Sequence, residues 1–173
     1  ASKLAGELEN TLLIEDRASL VVPGGTTPGP IFDSLCAADI DWSRVDVALS
    51  DERWLPETSP RSNSRLIKER LLVGRASKAN WIPLYQDGAT PSDGATQLGE
   101  AIDAVVPVSV LLLGMGADMH TASLFPGADN LTLALGDNAP ALVPMTAPGA
   151  DEPRVTLSAR ILSGAMARHI VII

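Results

Sequence analysis

Asp118 and His120 stand two residues apart, directly after an aliphatic run and a small-residue turn. The run, at residues 108–113, lacks regular polar alternation, which is typical of a parallel strand covered on both faces. In open α/β sheets, ligands bind at the carboxyl ends of the strands. A histidine beside a carboxylate is suited to general base catalysis, so this pair is a candidate for that chemistry. The alternative is a tight turn that holds a solvated aspartate and a hydrogen-bonded histidine.

A second polar cluster, GGTTP at residues 24–28, follows an aliphatic run at residues 18–22. Its glycines allow the backbone to approach a ligand closely, and Pro28 and Pro30 suit the first turn of a helix. Because N–H groups at a helix start carry partial positive charge, the cluster indicates an anion site. An ordinary strand-to-helix turn is the alternative. The cluster has neither the ending of a P-loop nor the G-x-G-x-x-G spacing.

A third cluster, SDERW at residues 50–54, follows another aliphatic run at residues 45–49. The guanidinium fork of Arg53 matches the geometry of a phosphate dianion. A helix cap combined with surface ion pairs is the alternative. If all three clusters lie at the carboxyl ends of parallel strands, they supply glycine N–H groups, an arginine, carboxylates and a histidine to one edge of a sheet.

Strand and helix patterns alternate along the whole sequence. Helices are predicted at residues 3–13, 30–38, from 62 through 71, 95–105 and 158–167. Strands are predicted at residues 18–22, 45–49, 80–84, 108–113, 141–143, 154–157 and 169–173. This order predicts βαβ units with right-handed crossovers and a mostly parallel sheet. We therefore expect one α/β domain over residues 1–173, with a three-layer α/β/α, Rossmann-like, doubly wound architecture.

The composition is that of an ordinary globular domain, with 173 residues, 46% apolar and 20% charged. The net charge of −8 disfavours non-specific binding to nucleic acid or to an anionic membrane. The single cysteine, Cys36, excludes an intrachain disulfide and is interpreted as a buried, inert thiol. No apolar run reaches the roughly 18–20 residues of a membrane span, and no signal peptide is visible, so a cytoplasmic protein is expected. Metal ligation has little support, because there are only two histidines and His169, in an apolar strand, is interpreted as a hydrogen-bonded core histidine.

The two ends of the sequence resemble interrupted elements. It opens in a helical pattern and stops inside the apolar run at residues 170–173. Since a buried strand rarely ends a domain, a C-terminally incomplete chain is expected.

Five motifs in order give the chain a resemblance to a known family. They are GGTTP at 24–28, SDERW with Pro56, the pair Ser62 and Asn63, GMGADMHTASLFPG at 114–127, and PRVTLS at 153–158. The chain resembles the 6-phosphogluconolactonase family, part of the glucosamine-6-phosphate isomerase/deaminase superfamily. The DERW form and the ASLFPG continuation favour the lactonase branch, because the deaminase branch has DEY and Asn-Glu-Pro at these places.

The resemblance implies hydrolysis of 6-phosphoglucono-δ-lactone to 6-phosphogluconate, the second step of the oxidative pentose phosphate pathway, without a cofactor or a metal. It implies His120 as the general base and Asp118 as the group that orients it. The implied substrate-binding residues are Gly24, Gly25 and Thr26 as a phosphate cradle, Arg53 as added charge, Asp51 and Asn63 as pocket walls, and Arg154 near the substrate. The implied partner is a small sugar phosphate, with no nucleic acid or membrane partner, and the protein is expected to be a monomer or homodimer.

Two departures from the family pattern bear on these expectations. Met119 stands where the family usually has glycine between the aspartate and the histidine. If φ is positive there, a methionine would be strained by roughly 1 kcal/mol and could crowd the pocket. The family also continues beyond this C-terminus with a lysine implicated in phosphate binding and a terminal helix.

Two other functions stay open from the sequence. One is an isomerase/deaminase that acts on an amino-sugar phosphate, which release of ammonia from glucosamine 6-phosphate would reveal. The other is a non-catalytic sugar-phosphate sensor, for which Met119 is the motivation. The acidic composition and the lack of a visible helix-turn-helix disfavour a sensor that binds DNA, as a transcription regulator would.

Overall fold

A computed structural model describes residues 1–172. The strands are β1 Ala18–Val22, β2 Val45–Leu49, β3 Asp51–Arg53, β4 Asn80–Ile82, β5 Val110–Met115, β6 Leu142–Met145, β7 Arg154–Leu157 and β8 Ala167–Ile172. The helices are α1 Ser2–Ile14, α2 Gly29–Leu35, α3 Asn63–Arg70, α4 Pro91–Asp103, α5 Leu131–Ala134 and α6 Ala159–Ser163.

The main sheet is parallel and has five strands in the order β4-β2-β1-β5-β8. Every residue of β1 and of β2 is buried, as the aliphatic runs predict for strands covered on both faces. The chain steps outward from β1 to β2 and β4, and then returns to place β5 on the other side of β1. Right-handed crossovers therefore put α2 and α3 on one face of the sheet and α4 on the opposite face. The predicted doubly wound, mostly parallel architecture is confirmed.

Three strands form a second sheet that the sequence does not predict. Strands β3, β7 and β6 pair antiparallel in the order β3-β7-β6, so the segment predicted as a polar turn after β2 is in fact a short strand. Asp51 pairs with Thr156 and Arg53 with Arg154. Three residues are too few for a period-2 pattern to be recognised, and their partner strand lies about a hundred positions away along the chain.

The helices differ from prediction mainly at their ends. Ser62 caps α3, with its hydroxyl accepting from the N–H of Arg65. Helix α6 is shorter than the predicted 158–167 because Ala167 already belongs to β8, and α2 ends at Leu35 rather than at residue 38. Helix α5 lies between residues 113 and 141, a segment in which the sequence analysis places no helix or strand. Cys36 is half-buried just after α2 rather than fully buried.

Strand β8 lies at the edge of the main sheet and is only partly covered, with exposed residues alternating along it. His169 is not a core histidine, because its Nε2 lies 2.7 Å from the Oε2 of Glu7 on α1 and its side chain is partly exposed. Ile173, the last residue of the predicted strand, lies outside the described residues. Within residues 1–172, no helix combines the length and hydropathy that a membrane span requires.

Candidate active site

A cavity of about 350 Å³ opens where β1 and β5 end. Successive strands are added on one side of β1 up to β4 and on its other side from β5, and doubly wound folds bind their ligands at such a reversal of strand order. The cavity is lined by Pro23, Gly24, Gly25, Asp51, Arg53, Asn63, Gly114, Gly116, His120, Ala122, Phe125 and Arg154. All three polar clusters of the sequence therefore contribute to one site.

His120 and Asp118 form a hydrogen-bonded pair at this cavity. The Nδ1 atom of His120 lies 2.5 Å from the Oδ1 atom of Asp118, which also accepts the backbone N–H of His120 at 3.3 Å. The hydrogen bond to His120 holds the pKa of the Asp118 carboxyl below its usual value, so Asp118 is ionised at neutral pH. When Nδ1 of the neutral imidazole donates to this carboxylate, Nε2 keeps its lone pair and can accept a proton.

The surroundings of His120 hold its ring in place. The ring centroid of Phe125 lies 4.3 Å from that of His120. The N–H of Gly116 donates to the carbonyl oxygen of His120 at 3.1 Å, and a Cβ atom on Gly116 would lie 2.7 Å from the Cε1 atom of the imidazole. Only glycine at position 116 leaves room for the ring.

Strand β3 sends its side chains in alternate directions, as a strand must. Asp51 and Arg53 reach the cavity, whereas Glu52 points away and is completely buried. The carboxylate of Glu52 accepts the backbone N–H groups of Asn63 at 2.8 Å and Ser64 at 2.7 Å, which belong to the first turn of α3. Burial raises the pKa of Glu52, and these hydrogen bonds oppose the rise. The helix-cap alternative is therefore correct for Glu52, whereas Asp51 and Arg53 line the cavity.

Asp51 is anchored by two hydroxyl groups. Its Oδ1 accepts from the hydroxyl of Ser50 at 2.9 Å and its Oδ2 from that of Ser123 at 2.6 Å. Arg154 lies nearby, with its Nη1 atom 3.9 Å from Oδ2 of Asp51 and its guanidinium 5.2 Å from the centroid of the Phe125 ring. Burial lowers the pKa of Arg154, but arginine stays charged at any physiological pH. Its Nε is buried and has no hydrogen-bond partner among residues 1–172.

The glycine loop after β1 fits against Asn63. A Cβ atom on Gly24 would lie 2.0 Å from the Oδ1 atom of Asn63, while the Nδ2 atom of that side chain donates to the carbonyl oxygen of Asp51 at 3.1 Å. Gly24 therefore allows the loop, α3 and β3 to meet at one corner of the cavity. Gly25, the next residue, has φ of 84°, a conformation that glycine adopts without strain.

Thr26 lies outside the cavity wall. Its side chain is exposed, and its carbonyl oxygen accepts the N–H of Gly29. The start of α2 offers few free donors, because Pro28 and Pro30 have no N–H and the N–H of Ile31 donates to the carbonyl of Pro28. The sequence predicts that the start of α2 supplies the N–H groups of an anion site. In the structure, the N–H groups that remain at the cavity are those of the glycine loop after β1.

We expect Gly24→Ala to lower kcat/KM at this site at least tenfold, because the new methyl group displaces the amide of Asn63 and with it the corner of the cavity. Steady-state kinetics with the substrate proposed below measures the effect. Gly6→Ala is the matched control, since nothing lies within 4 Å of a Cβ at Gly6 on α1. Equal kinetics for both variants would contradict this role of Gly24.

Met119 has a φ of 64°, so it adopts the left-handed conformation in which a methionine is expected to be strained. Its side chain is 76% exposed and does not line the cavity, and His120 keeps its bond to Asp118. The expectation that Met119 crowds the pocket is therefore wrong. The strain remains, since a side chain costs about 1–2 kcal/mol in this conformation.

We expect Met119→Gly to raise the free energy of unfolding by about 0.5 kcal/mol, the relieved strain less the extra chain entropy that glycine loses on folding. Urea titration measures the change. Met166→Gly is the control, because Met166 is similarly exposed but has no positive φ, so its replacement destabilises. A lower free energy of unfolding for Met119→Gly would contradict this prediction. It would mean that the methionine side chain stabilises the folded state by more than the backbone strain destabilises it.

Sequence reasoning missed several residues that shape the site. Phe125 and Ser123 lie within a motif that the sequence analysis singled out, but nothing local to them predicts contact with His120 or Asp51. Glu152 and Arg61 form an ion pair of 3.1 Å beside Arg53 and come from loops far apart in sequence. The carboxylates and histidines of residues 1–172 form no cluster that could hold a metal ion.

Comparison with known proteins agrees with this fold. Residues 1–173 match the family described as glucosamine-6-phosphate isomerases/6-phosphogluconolactonase. The 6-phosphogluconolactonase of Pseudomonas aeruginosa is 39% identical over 174 residues, which cover 99% of this chain and 73% of that protein. The 6-phosphogluconolactonase of Mesorhizobium japonicum is 41% identical over 174 residues, which cover 98% of this chain and 73% of that protein.

Solved structures show the same relationship. A crystal structure of a 6-phosphogluconolactonase from Shewanella baltica superposes with a TM-score of 0.93 at 37% identity, covering 98% of this chain and 72% of that one. The 6-phosphogluconolactonase of Thermotoga maritima gives a TM-score of 0.81 at 30% identity, covering 98% of this chain and 76% of that one. Because the match spans all 173 residues, the chain belongs to the family of glucosamine-6-phosphate isomerases and 6-phosphogluconolactonases.

Proposed function

We propose that this protein hydrolyses 6-phospho-D-glucono-1,5-lactone to 6-phosphogluconate, in a single α/β domain that binds a sugar phosphate. The observation that carries the proposal is the His120–Asp118 pair at a cavity that also holds two arginines. A base beside cationic groups suits a substrate that combines an ester carbonyl with a phosphate. Relatives at 39–41% identity are 6-phosphogluconolactonases, which supports the same activity.

The proposed reaction begins with proton transfer from water. Nε2 of His120 accepts a proton while the water oxygen attacks the lactone carbonyl carbon, and a tetrahedral oxyanion forms. Asp118 stabilises the imidazolium that results, because its carboxylate lies 2.5 Å from Nδ1. As the intermediate collapses, the bond from carbon to the ring oxygen breaks and His120 returns its proton to that oxygen. The product is the open-chain acid, and His120 is neutral again.

Binding of the phosphate positions the carbonyl over His120. Arg53 and Arg154 line the cavity and supply positive charge for the phosphate. The backbone of Gly24 and Gly25 provides further donors at the end of β1. Asp51 and Asn63 form the wall between these groups and are suited to accept or donate hydrogen bonds to sugar hydroxyls. Energy from binding the non-reacting phosphate is thereby used to orient the reacting group.

The experiment is lactone hydrolysis by the purified protein, measured above the spontaneous rate. The acid product is followed by coupling to 6-phosphogluconate dehydrogenase. A saturable rate that depends on His120 supports the proposal. Ammonia released from glucosamine 6-phosphate would instead indicate the deaminase function, and tight binding of 6-phosphogluconate without turnover would indicate a sensor.

The proposed chemistry requires water and protein groups alone. A monomer or homodimer and a cytoplasmic location remain predictions from the sequence. Size-exclusion chromatography with light scattering determines the oligomeric state.

A further inference from the structure

Glu152 is a buried carboxylate beside the candidate site that no part of the proposed reaction uses. It lies two residues before β7, and only 8% of its side chain is exposed. Two arginines flank it, Arg53 from β3 and Arg61 from the loop before α3. Burying a carboxylate costs free energy unless positively charged partners compensate it, and here Arg53 and Arg61 are those partners.

The two oxygens of Glu152 face different arginines. Oε2 lies 3.1 Å from Nη2 of Arg61, and Oε1 lies 3.4 Å from Nε of Arg53. Within residues 1–172, neither that Nε nor that Oε1 has a hydrogen-bond partner. The opposite charges of Glu152 and Arg53 therefore attract each other across this 3.4 Å contact, which is slightly longer than a formed hydrogen bond.

Arg53 is held at a second point as well. Its Nη1 atom donates to the carbonyl oxygen of Arg61 at 2.9 Å. A guanidinium is planar and rigid, so fixing the positions of Nε and Nη1 also fixes the direction of Nη2. Because Arg53 lines the cavity, Nη2 is the group left to meet a ligand there.

We propose that Glu152 is a positioning residue that holds Arg53 in the orientation in which it binds the substrate phosphate. The inference rests on the proposed function, because it takes Arg53 as a phosphate ligand. Glu152 does not touch the substrate. It acts through Arg53, and Arg61 completes the clamp by bonding to both of them.

The test compares Glu152→Gln with Asp151→Asn on two substrates, 6-phospho-D-glucono-1,5-lactone and D-glucono-1,5-lactone. Asp151 is the matched control, because it also pairs with Arg61, at 3.0 Å, but is 75% exposed and has no contact with Arg53. For Glu152→Gln we expect KM for the phosphorylated lactone to rise about tenfold, because a misplaced Arg53 makes a weaker charge-assisted hydrogen bond to the phosphate. The value of kcat, and kcat/KM for the lactone without phosphate, stay within about twofold of the wild type, a change of under half a kcal/mol.

A merely structural role would lower activity on both lactones together, and that outcome overturns the proposal. Lower KM for the phosphorylated lactone would also overturn it, since Glu152 would then compete with the phosphate for Arg53. Glu152→Asp withdraws the carboxylate by one methylene and is expected to give an intermediate KM, which provides a second variant if Glu152→Gln is unfolded.

Calorimetry with 6-phosphogluconate separates this inference from the proposed function. If the wild type hydrolyses neither lactone, the proposed function fails. Weaker binding of 6-phosphogluconate to Glu152→Gln than to Asp151→Asn would still support the role of Glu152. Equal binding by these two variants would reject that role even if the wild type is an active lactonase.

Discussion

Replacing His120 with alanine is expected to lower kcat for lactone hydrolysis by about 10²–10⁴-fold, the usual contribution of a positioned general base. His120 is the one histidine at the cavity among the described residues, and its Nδ1 is already engaged by Asp118. Without the imidazole, water must attack the carbonyl without a proton acceptor. KM is expected to change little, because the arginines and the glycine loop remain in place. Initial rates corrected for spontaneous hydrolysis measure the effect.

His169→Ala is the matched control for this prediction. His169 is also partly exposed and is also paired with a carboxylate, that of Glu7, but it lies on edge strand β8 and does not line the cavity. We expect its rate to equal that of the wild type. Equal rates for both histidine variants would reject His120 as the base and leave the cavity as a binding site only.

Replacing Glu52 with alanine is expected to lower the free energy of unfolding by about 3 kcal/mol, because buried N–H donors lose their acceptor at about 1–3 kcal/mol each. The N–H groups of Asn63 and Ser64 at the start of α3, and that of Arg53, all donate to this one carboxylate. Urea titration followed by circular dichroism measures the loss. Glu69→Ala is the control, since Glu69 lies exposed on α3 and pairs only with Arg65, an interaction worth well under 1 kcal/mol.

The same residue predicts a pH dependence with a definite sign. Burial raises the pKa of Glu52 above the ordinary value of 4.5, so the folded protein holds this proton more tightly than the unfolded chain. The resulting stabilisation is fully present below pH 4.5 and is lost as the pH rises through the folded-state pKa. The stability of the wild type relative to Glu52→Gln is therefore expected to decrease from acidic to neutral pH. If the stability difference between the wild type and Glu52→Gln increases with pH instead, the hydrogen bonds that Glu52 accepts lower its pKa by more than burial raises it.

The sequence alone determined the strands of the main sheet and most of the candidate site. Strands β1 and β2 are predicted at their observed bounds, because aliphatic runs with no polar alternation signal strands buried on both faces. His120, Asp118 and Gly24 are predicted because parallel strands bring their carboxyl ends to one edge. These features depend on local residue patterns and on the handedness of chain crossovers, which are readable without coordinates.

Tertiary structure alone decided which neighbouring residues reach the cavity. The alternation of β3 separates Glu52 from Asp51 and Arg53, and this depends on pairing with β7, about a hundred residues away. Thr26 lies outside the cavity although two glycines of its loop line it. The contact of Glu152 with Arg53 and Arg61 joins two loops and a strand, so no spacing in the sequence predicts it. Side-chain direction and long-range pairing depend on how the elements pack, and the sequence pattern of any one segment carries neither.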